Sequence, residues 1–300
     1  MADATPVPPR VSLYVPCYNV ERFLARVIEG ALAQTAPFDE ILIVDDGSTD
    51  RTVEVASRYP APVRIVRHDR NRGLAAARNT GLRAARNDLV AGLDADVVAD
   101  RRWLEVLLPE MADPRVAGAS GRLEETVLES LADEWRRAHM SQHWGDARRV
   151  NPPFMYGANT LVRRGAVLAA GGYDERYRTN GEDIDISRRL RAAGHALVYR
   201  PDAIAGHLRQ DTLPSILDTY WRYWRSGTNA HVAPLTPLTV LVHLGYSLTL
   251  RQLKRIAWSD LKRGNWRLLG IDLRLPFYLW RRYFGLLAER RAARAPAPGA

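Results

Sequence analysis

With 300 residues, 46% of them apolar and 26% charged, the chain has the make-up of one large globular domain or two modest ones. Its single cysteine, Cys17, excludes an internal disulfide and any zinc site built from several cysteines. The net charge of +9 belongs to the last third: residues 207–300 hold 15 Lys and Arg against 5 Asp and Glu, and residues 1–206 hold 28 against 29, so the C-terminal third is expected to meet something anionic.

Residues 1–10 (MADATPVPPR) are too polar and proline-rich for a secretory signal and are expected to be disordered. Residues 11–16 (VSLYVP) predict a short strand ending at a proline. From Val20 to Gln34, the apolar residues Val20, Phe23, Leu24, Val27, Ile28, Ala31 and Leu32 recur at the spacing of one helical face. Ile41 to Val44 predicts a buried strand, followed by a turn rich in Asp, Gly, Ser and Thr, where Thr49 or Asp50 is placed to cap the next helix. A third strand is expected at 63–67, a helix at 73–85 and a fourth strand at 88–94. This alternation predicts a mostly parallel central sheet with helices on both faces. Ligands of such sheets sit outside the carboxyl ends of the strands. The polar clusters Pro16–Asn19, Asp45–Asp50 and Asp94–Asp96 all fall at such ends and are expected to converge on one crevice.

Beyond residue 100 the pattern predicts a helix at 101–111, a strand near 115–121, a long helical stretch at 123–144, a strand from Gly157 to Val162 and a helix at 181–194. The last has acids in its first turn, arginines later and a glycine at its end, the polarity a helix dipole favours. The tract Val232–Leu250 has the length of a membrane span but is interrupted by Pro234, Pro237 and His243. Residues 273–291 (LRLPFYLWRRYFGLLAERR) join a broad apolar face to basic side chains, a combination suited to an anionic headgroup region. A disordered tail is expected at 292–300, and no internal repeat is present.

No G-x-G-x-x-G follows the first strand and no G-x-x-x-x-G-K-[ST] occurs, so a nucleotide would bind by another arrangement. Asp94 and Asp96 offer one. Two like charges two residues apart at a strand end are favourable with a cation between them, and Mg²⁺ or Mn²⁺ takes carboxylates together with substrate phosphates. A solvated turn with a helix cap would use the same residues. Asp45 and Asp46 can accept hydrogen bonds from a ribose or a base, or form a tight turn. Arg78 and Asn79 share one helix, with Asn71 and Arg72 in the loop before it; Arg78 can reach a phosphate or stay solvated. In "GEDIDIS", Glu182, Asp183 and Asp185 alternate with isoleucines, an environment that shifts a carboxyl's proton affinity as a general base requires. His207 suits a transition-metal ion or a structural role. Trp135, Trp144, Tyr156 and Trp221 are candidates for a sugar-stacking surface or for core. Cys17 reads as a small buried hydrophobe.

The ordered motifs VPCYN, VDDGSTD, NRGLAAARNTGL, LDADV, GGYDERY and GEDIDISRRL resemble those of the family 2 glycosyltransferases with the GT-A fold, over about residues 11–207. The resemblance implies a catalytic domain at 11–207, with a basic, aromatic-rich helical region at 208–291 beyond it. It implies that Pro16, Tyr18 and Asp46 contact the base and ribose of a sugar nucleotide, and that Arg78 lies near base or diphosphate. Asp94 would face the ribose or sugar, Asp96 would bind Mn²⁺ or Mg²⁺, and His207 would be a further metal ligand. Asp183 would be the catalytic base of an inverting displacement, with Tyr156, Gly157 and Glu182 as sugar or acceptor contacts. A UDP-sugar is the favoured donor, GDP- or dTDP-sugars being the others, and the acceptor is expected to be a glycan or lipid-linked saccharide of the cell envelope. No Gln-x-x-Arg-Trp follows His207, which favours one sugar added per encounter. The expected location is cytoplasmic, at the membrane's cytoplasmic face, without a nucleic-acid partner. A non-catalytic sugar-nucleotide binder and a nucleotidyltransferase are the rival readings. The acids argue against the first, and the missing N-terminal glycine-rich loop against the second.

Overall fold

The structure is a computed structural model that describes residues 9–227 and 236–292. Residues 1–8, the start of the Val232–Leu250 tract and residues 293–300 lie outside the described residues. In chain order the elements are β1 (Val11–Cys17), α1 (Leu24–Leu32), β2 (Glu40–Asp45), α2 (Thr52–Ala56), β3 (Val63–Arg67), α3 (Leu74–Ala84), β4 (Leu89–Leu93) and β5 (Val97–Ala99). They continue with α4 (Trp103–Leu107), β6 (Val116–Glu125), α5 (Leu131–His139), β7 (Arg149–Val150), β8 (Asn159–Arg163), α6 (Arg164–Ala169), α7 (Glu182–Ala192) and β9 (Ala196–His207). The remaining helices are α8 (Leu213–Gly227), α9 (Pro237–Leu241), α10 (Trp258–Arg263) and α11 (Leu269–Ala292), with π-helical turns at Val242–Leu250 and Leu253–Ala257.

Two compact units result, one from the described residues up to 126 and 141–209, the other from 127–140 and the described residues from 210 onward. The first is built on a sheet of order β3-β2-β1-β4-β8-β6-β9-β5, with β7 pairing Val198 and Tyr199 of β9. The β3-β2-β1-β4 half is parallel as the alternation of elements predicts. From β8 onward antiparallel pairs dominate: β8 runs against both β4 and β6, and β5 and β7 run against β9. Side chains alternate across the pleat. Leu13 and Val15 of β1 thus join α1 and Trp103 of α4 on one face, whereas Tyr14 joins α3 and α7 residues such as Leu82 and Leu190 on the other. Helices therefore cover both faces.

Three local expectations are corrected. The strand at β1 runs one residue past Pro16, which lies within the strand opposite Val44 of β2. Arg10 is held to the fold, its Nε donating to Asp39 Oδ1 at 2.8 Å. The helix expected over 123–144 is only Leu131–His139, because β6 continues to Glu125 to pair with β9. Its start is set by a capping box in which Ser130 and Asp133 satisfy each other's backbone N–H groups.

The second unit is helical. Trp135 of α5 packs with Ile216 and Trp221 of α8, with Leu248, and with Leu275, Leu279 and Tyr283 of α11. Among the described residues no helix is long and apolar enough to cross a membrane.

Candidate active site

The site gathers at the carboxyl ends of the parallel strands. The chain leaves β4 at Leu93, turns through Asp94-Ala95-Asp96 and enters β5, which pairs Val97 with His207 at the end of β9. That pairing, closed by Leu208 N–H donating to Asp96 O at 2.8 Å, brings the turn against the histidine. His207 Nε2 lies 3.1 Å from Asp96 Oδ2. On its other side Nδ1 lies 3.0 Å from Glu125 Oε2, Glu125 standing opposite His207 in the β6–β9 register. Burial opposes a charge on His207, but Asp96 and Glu125 outweigh it and push the imidazole up to about 9. The two carboxylates thus demand positive charge here, from a proton or from a bound cation.

The donor set fits a divalent ion. Two ligands of an octahedral ion at about 2.1 Å stand roughly 3 Å apart, close to the Asp96–His207 separation. A carboxylate on the remote imidazole nitrogen, the position of Glu125, is the usual means of aiming the ligating nitrogen.

Asp94 is engaged elsewhere. Its Oδ1 accepts from Arg78 Nη2 at 2.8 Å, and Arg78 Nη1 donates to Glu182 Oε1 at 2.7 Å. Arg78 is 2% exposed, so a residue that sequence leaves free to be solvated is a buried bridge between the β4 turn and the start of α7. Gly157 lies against it: a Cβ there would overlap the guanidinium. Glu182 follows Gly181, whose φ of +96° is a left-handed conformation open to glycine. Burial raises the Glu182 carboxyl to about 7 against the lowering effect of Arg78, and the neighbouring Asp183 and Asp94 add to the rise. Asp183 is half-buried. Its Oδ2 accepts from Gly157 N–H at 3.2 Å and its Oδ1 from Ile184 N–H at 2.8 Å. Burial also raises this carboxyl above the ordinary aspartate range, although Arg78 and those two N–H groups oppose it. Three acids around one guanidinium leave an excess of negative charge.

Asp46 is engaged with the loop ahead of α3. It is buried, and its oxygens accept from the Arg72 and Gly73 N–H groups at 2.8 Å each, with His68 Nδ1 at 2.7 Å. It therefore shapes the loop ahead of α3. Gly73, at φ +98°, makes the turn into that helix. Pro16 is buried in the sheet, whereas Tyr18, just past the end of β1, is 47% exposed. The loops after β1 and β2 are laced together, Asn19 Oδ1 accepting from Thr49 N–H at 2.8 Å and Asn19 N–H donating to Ser48 Oγ at 2.9 Å.

Of the aromatics, Tyr156 stacks on Trp144 with ring centroids 5.3 Å apart, and Phe154 meets both edge-on. Trp135 and Trp221 are instead core residues of the helical unit. Asp185 pairs with Arg188 and Arg189 one turn along its own helix. Cys17 is buried in the sheet. Sequence reasoning does not reach Glu125, whose only marker is a strand pairing; Asn79, on the Arg78 helix, donates its side chain to Tyr173 O and accepts from Tyr173 N–H, both at 2.8 Å.

A model of the family described as Glycosyl transferase family 2 matches residues 12–169. Pre-mycofactocin glycosyltransferase of Mycobacterium tuberculosis is 33% identical over 224 residues, covering 69% of this chain and 46% of that protein. Validoxylamine A glucosyltransferase of Streptomyces hygroscopicus is 31% identical over 229 residues, covering 65% and 50%. The chain thus spans about half the length of these curated relatives. Among solved structures, Mannosyltransferase PcManGT from Pyrobaculum calidifontis, in complex with GDP-Man and Mn²⁺, superposes with a TM-score of 0.59 at 20% identity, over 97% of this chain and 82% of that one. GalNAc-T7 with UDP, GalNAc and Mn²⁺ gives 0.56 at 17% identity, over 74% and 49%. These two likenesses establish a shared GT-A fold.

Proposed function

The chain belongs to glycosyl transferase family 2, and from that premise we propose that it moves one sugar from a nucleoside-diphosphate sugar to an acceptor hydroxyl, with inversion at the anomeric carbon. The observation that carries the reading is the Asp94–Arg78–Glu182 bridge, which ties the turn bearing Asp96 to the helix start bearing Asp183. A cation-binding pair and a base are thereby held in one cluster.

The nucleotide enters at the carboxyl ends of β1, β2 and β4. Tyr18 offers a ring face to the base, and Asp46 keeps the 70–73 loop in shape beside it. Asp96 and His207 would hold Mn²⁺ or Mg²⁺, whose chemistry is to offset charge on the departing diphosphate. Asp183 takes the acceptor's proton while that oxygen forms the new bond to the anomeric carbon, and the diphosphate leaves with the old bonding pair. One base without a carboxylate nucleophile gives a single displacement and hence inversion. Tyr156, beside the Gly157 N–H that binds Asp183, presents with Trp144 an aromatic surface suited to an acceptor pyranose. The relatives and neighbours named above act on or bind different sugars, so UDP-, GDP- and dTDP-sugars are all to be screened, UDP first.

The test is nucleotide release from each donor with and without Mn²⁺. Metal-dependent release from one donor, lost in Asp96→Asn, is the expected result. Glu125→Gln should cost about 10–100-fold in Mn²⁺ affinity, the usual effect of removing a partner of a metal-bound histidine. A well-folded chain that binds no donor with metal present would sink the assignment.

The helical unit supports a membrane-side acceptor. Leu238, Val242, Tyr246 and Leu250 are exposed at four-residue intervals, and Leu273, Phe277 and Phe284 are exposed along α11. Interleaved with them are Arg251, Lys254, Arg255, Lys262, Arg274 and Arg281. Apolar stripes among basic residues suit the negatively charged cytoplasmic leaflet, each basic residue adding about 1 kcal/mol there. The protein is expected to sediment with vesicles of phosphatidylcholine plus phosphatidylglycerol, less so in high salt, and not with phosphatidylcholine alone. Leu238→Ser with Phe277→Ser should abolish the binding; equal binding to both vesicle types would remove this part of the proposal.

A further inference from the structure

The helical unit holds a second group of ligand-type side chains. His139 ends α5, Asp260 lies in α10 and Asp272 in the first turn of α11, and one ligand atom from each lies within 4.8 Å of the others. Both aspartates are buried, at 0% and 2% exposure. His139 Nε2 stands 2.7 Å from Asp260 Oδ2. The other oxygen of each carboxylate is held from behind: Asn265 Nδ2 donates to Asp260 Oδ1 at 3.1 Å, and Trp135 Nε1 donates to Asp272 Oδ1 at 2.7 Å. Asp272 Oδ2 is buried and receives no hydrogen bond. Among the described residues no lysine or arginine pairs with either carboxylate.

We propose that His139, Asp260 and Asp272 form a structural site for a transition-metal dication, Zn²⁺ in the first place, that ties α5 to α10 and α11. An imidazole nitrogen with two carboxylate oxygens is a donor set zinc accepts, and water or a second carboxylate oxygen completes four. The hydrogen bonds from Asn265 and Trp135 do what outer partners of metal ligands do, fixing each carboxylate with one oxygen turned inward. The competing account is a proton on Asp272. Without that proton, two buried carboxylates beside one imidazole, with no lysine or arginine on either among the described residues, leave negative charge unbalanced away from water, which is costly. A cation removes that cost. It would also join helices 121 residues apart in sequence, where closing a long loop adds most to stability.

The experiment uses the full chain carrying Asp96→Asn and His207→Gln, so that the candidate active-site ligands do not contribute. After chelation and reloading, elemental analysis should find one zinc per chain, and the unfolding temperature should rise by about 5–10 °C at zinc a hundredfold above its Kd. Adding Asp272→Asn or, separately, His139→Gln should remove both effects. Co²⁺ in the same parent background reads the site without a further substitution, through the visible absorption of four-coordinate cobalt. No retained zinc, zinc retained equally by both variants, or no such cobalt spectrum would each overturn the site. A chain that Asp272→Asn stabilises in chelator, with zinc inert, would show the shared proton instead.

Discussion

Asp183→Asn is expected to lower the rate of sugar transfer by about 10²–10⁴-fold, the range a positioned general base contributes, with donor affinity little changed. Asparagine keeps the shape of the side chain and an oxygen able to accept from Gly157 or Ile184 N–H, but it cannot take a proton. The loss should therefore fall on kcat rather than on donor binding, a split that steady-state kinetics and calorimetry with the donor would read separately. The pH profile gives a second readout. A general base acts unprotonated, so activity is expected to rise with pH through the titration of Asp183. Burial places that limb above the ordinary aspartate range. In the Asn variant the residual rate should lose this limb. Transfer within about tenfold of the parent would mean another group is the base, and Glu182 would be the next residue to change.

Arg78→Met should be the most destabilising single change at the site, at about 3–5 kcal/mol, the cost of removing one partner from a buried ion pair. Asp94 and Glu182 would lose their shared cation, and Glu182 is 3% exposed, with little access to water. For a unit of this size the melting temperature should fall by roughly 10 °C. Arg78→Lys should recover only part of the loss, since a point charge cannot make both contacts of a planar guanidinium. The discriminating measurement is a double-mutant cycle: Arg78→Met with Glu182→Gln should be more stable than Arg78→Met alone, because the second change removes the orphaned charge. A melting temperature within about 2 °C of the parent for Arg78→Met would mean that water or a neighbouring group relieves the two acids, and the bridge would lose its structural role.

Much of the sheet unit is written locally. The strands β1 to β4 and the helix α3 stand within a residue or two of the positions that apolar periodicity and the turn residues between them imply, because those signals act over a few neighbours in the chain. The same holds for Asp94–Asp96 at a strand end and for the acid-first polarity of α7. The misread helix at 123–144 had its true start in view, since Ser130 and Asp133 already spell a capping box. What hid it was the strand character of residues 123–125, which shows only when β6 finds β9.

The partners of those residues are another matter, because they follow from strand register and helix packing between segments far apart in sequence. Glu125 meets His207 across 82 positions through a β6–β9 pairing that includes two register shifts. Arg78 meets Glu182 across 104 positions, and nothing in its own helix separates a buried bridge from a solvated arginine. Asp46 sits where the motif places it, yet only the folded 70–73 loop turns its oxygens to backbone N–H groups. By itself the sequence determined the family, the strand ends that carry the acidic clusters and the residue types that gather there. The tertiary structure alone decided which of those residues meet, and it assigned Trp135 and Trp221 to the core of a helical unit, since contacts between distant segments depend on register and burial that no local window contains.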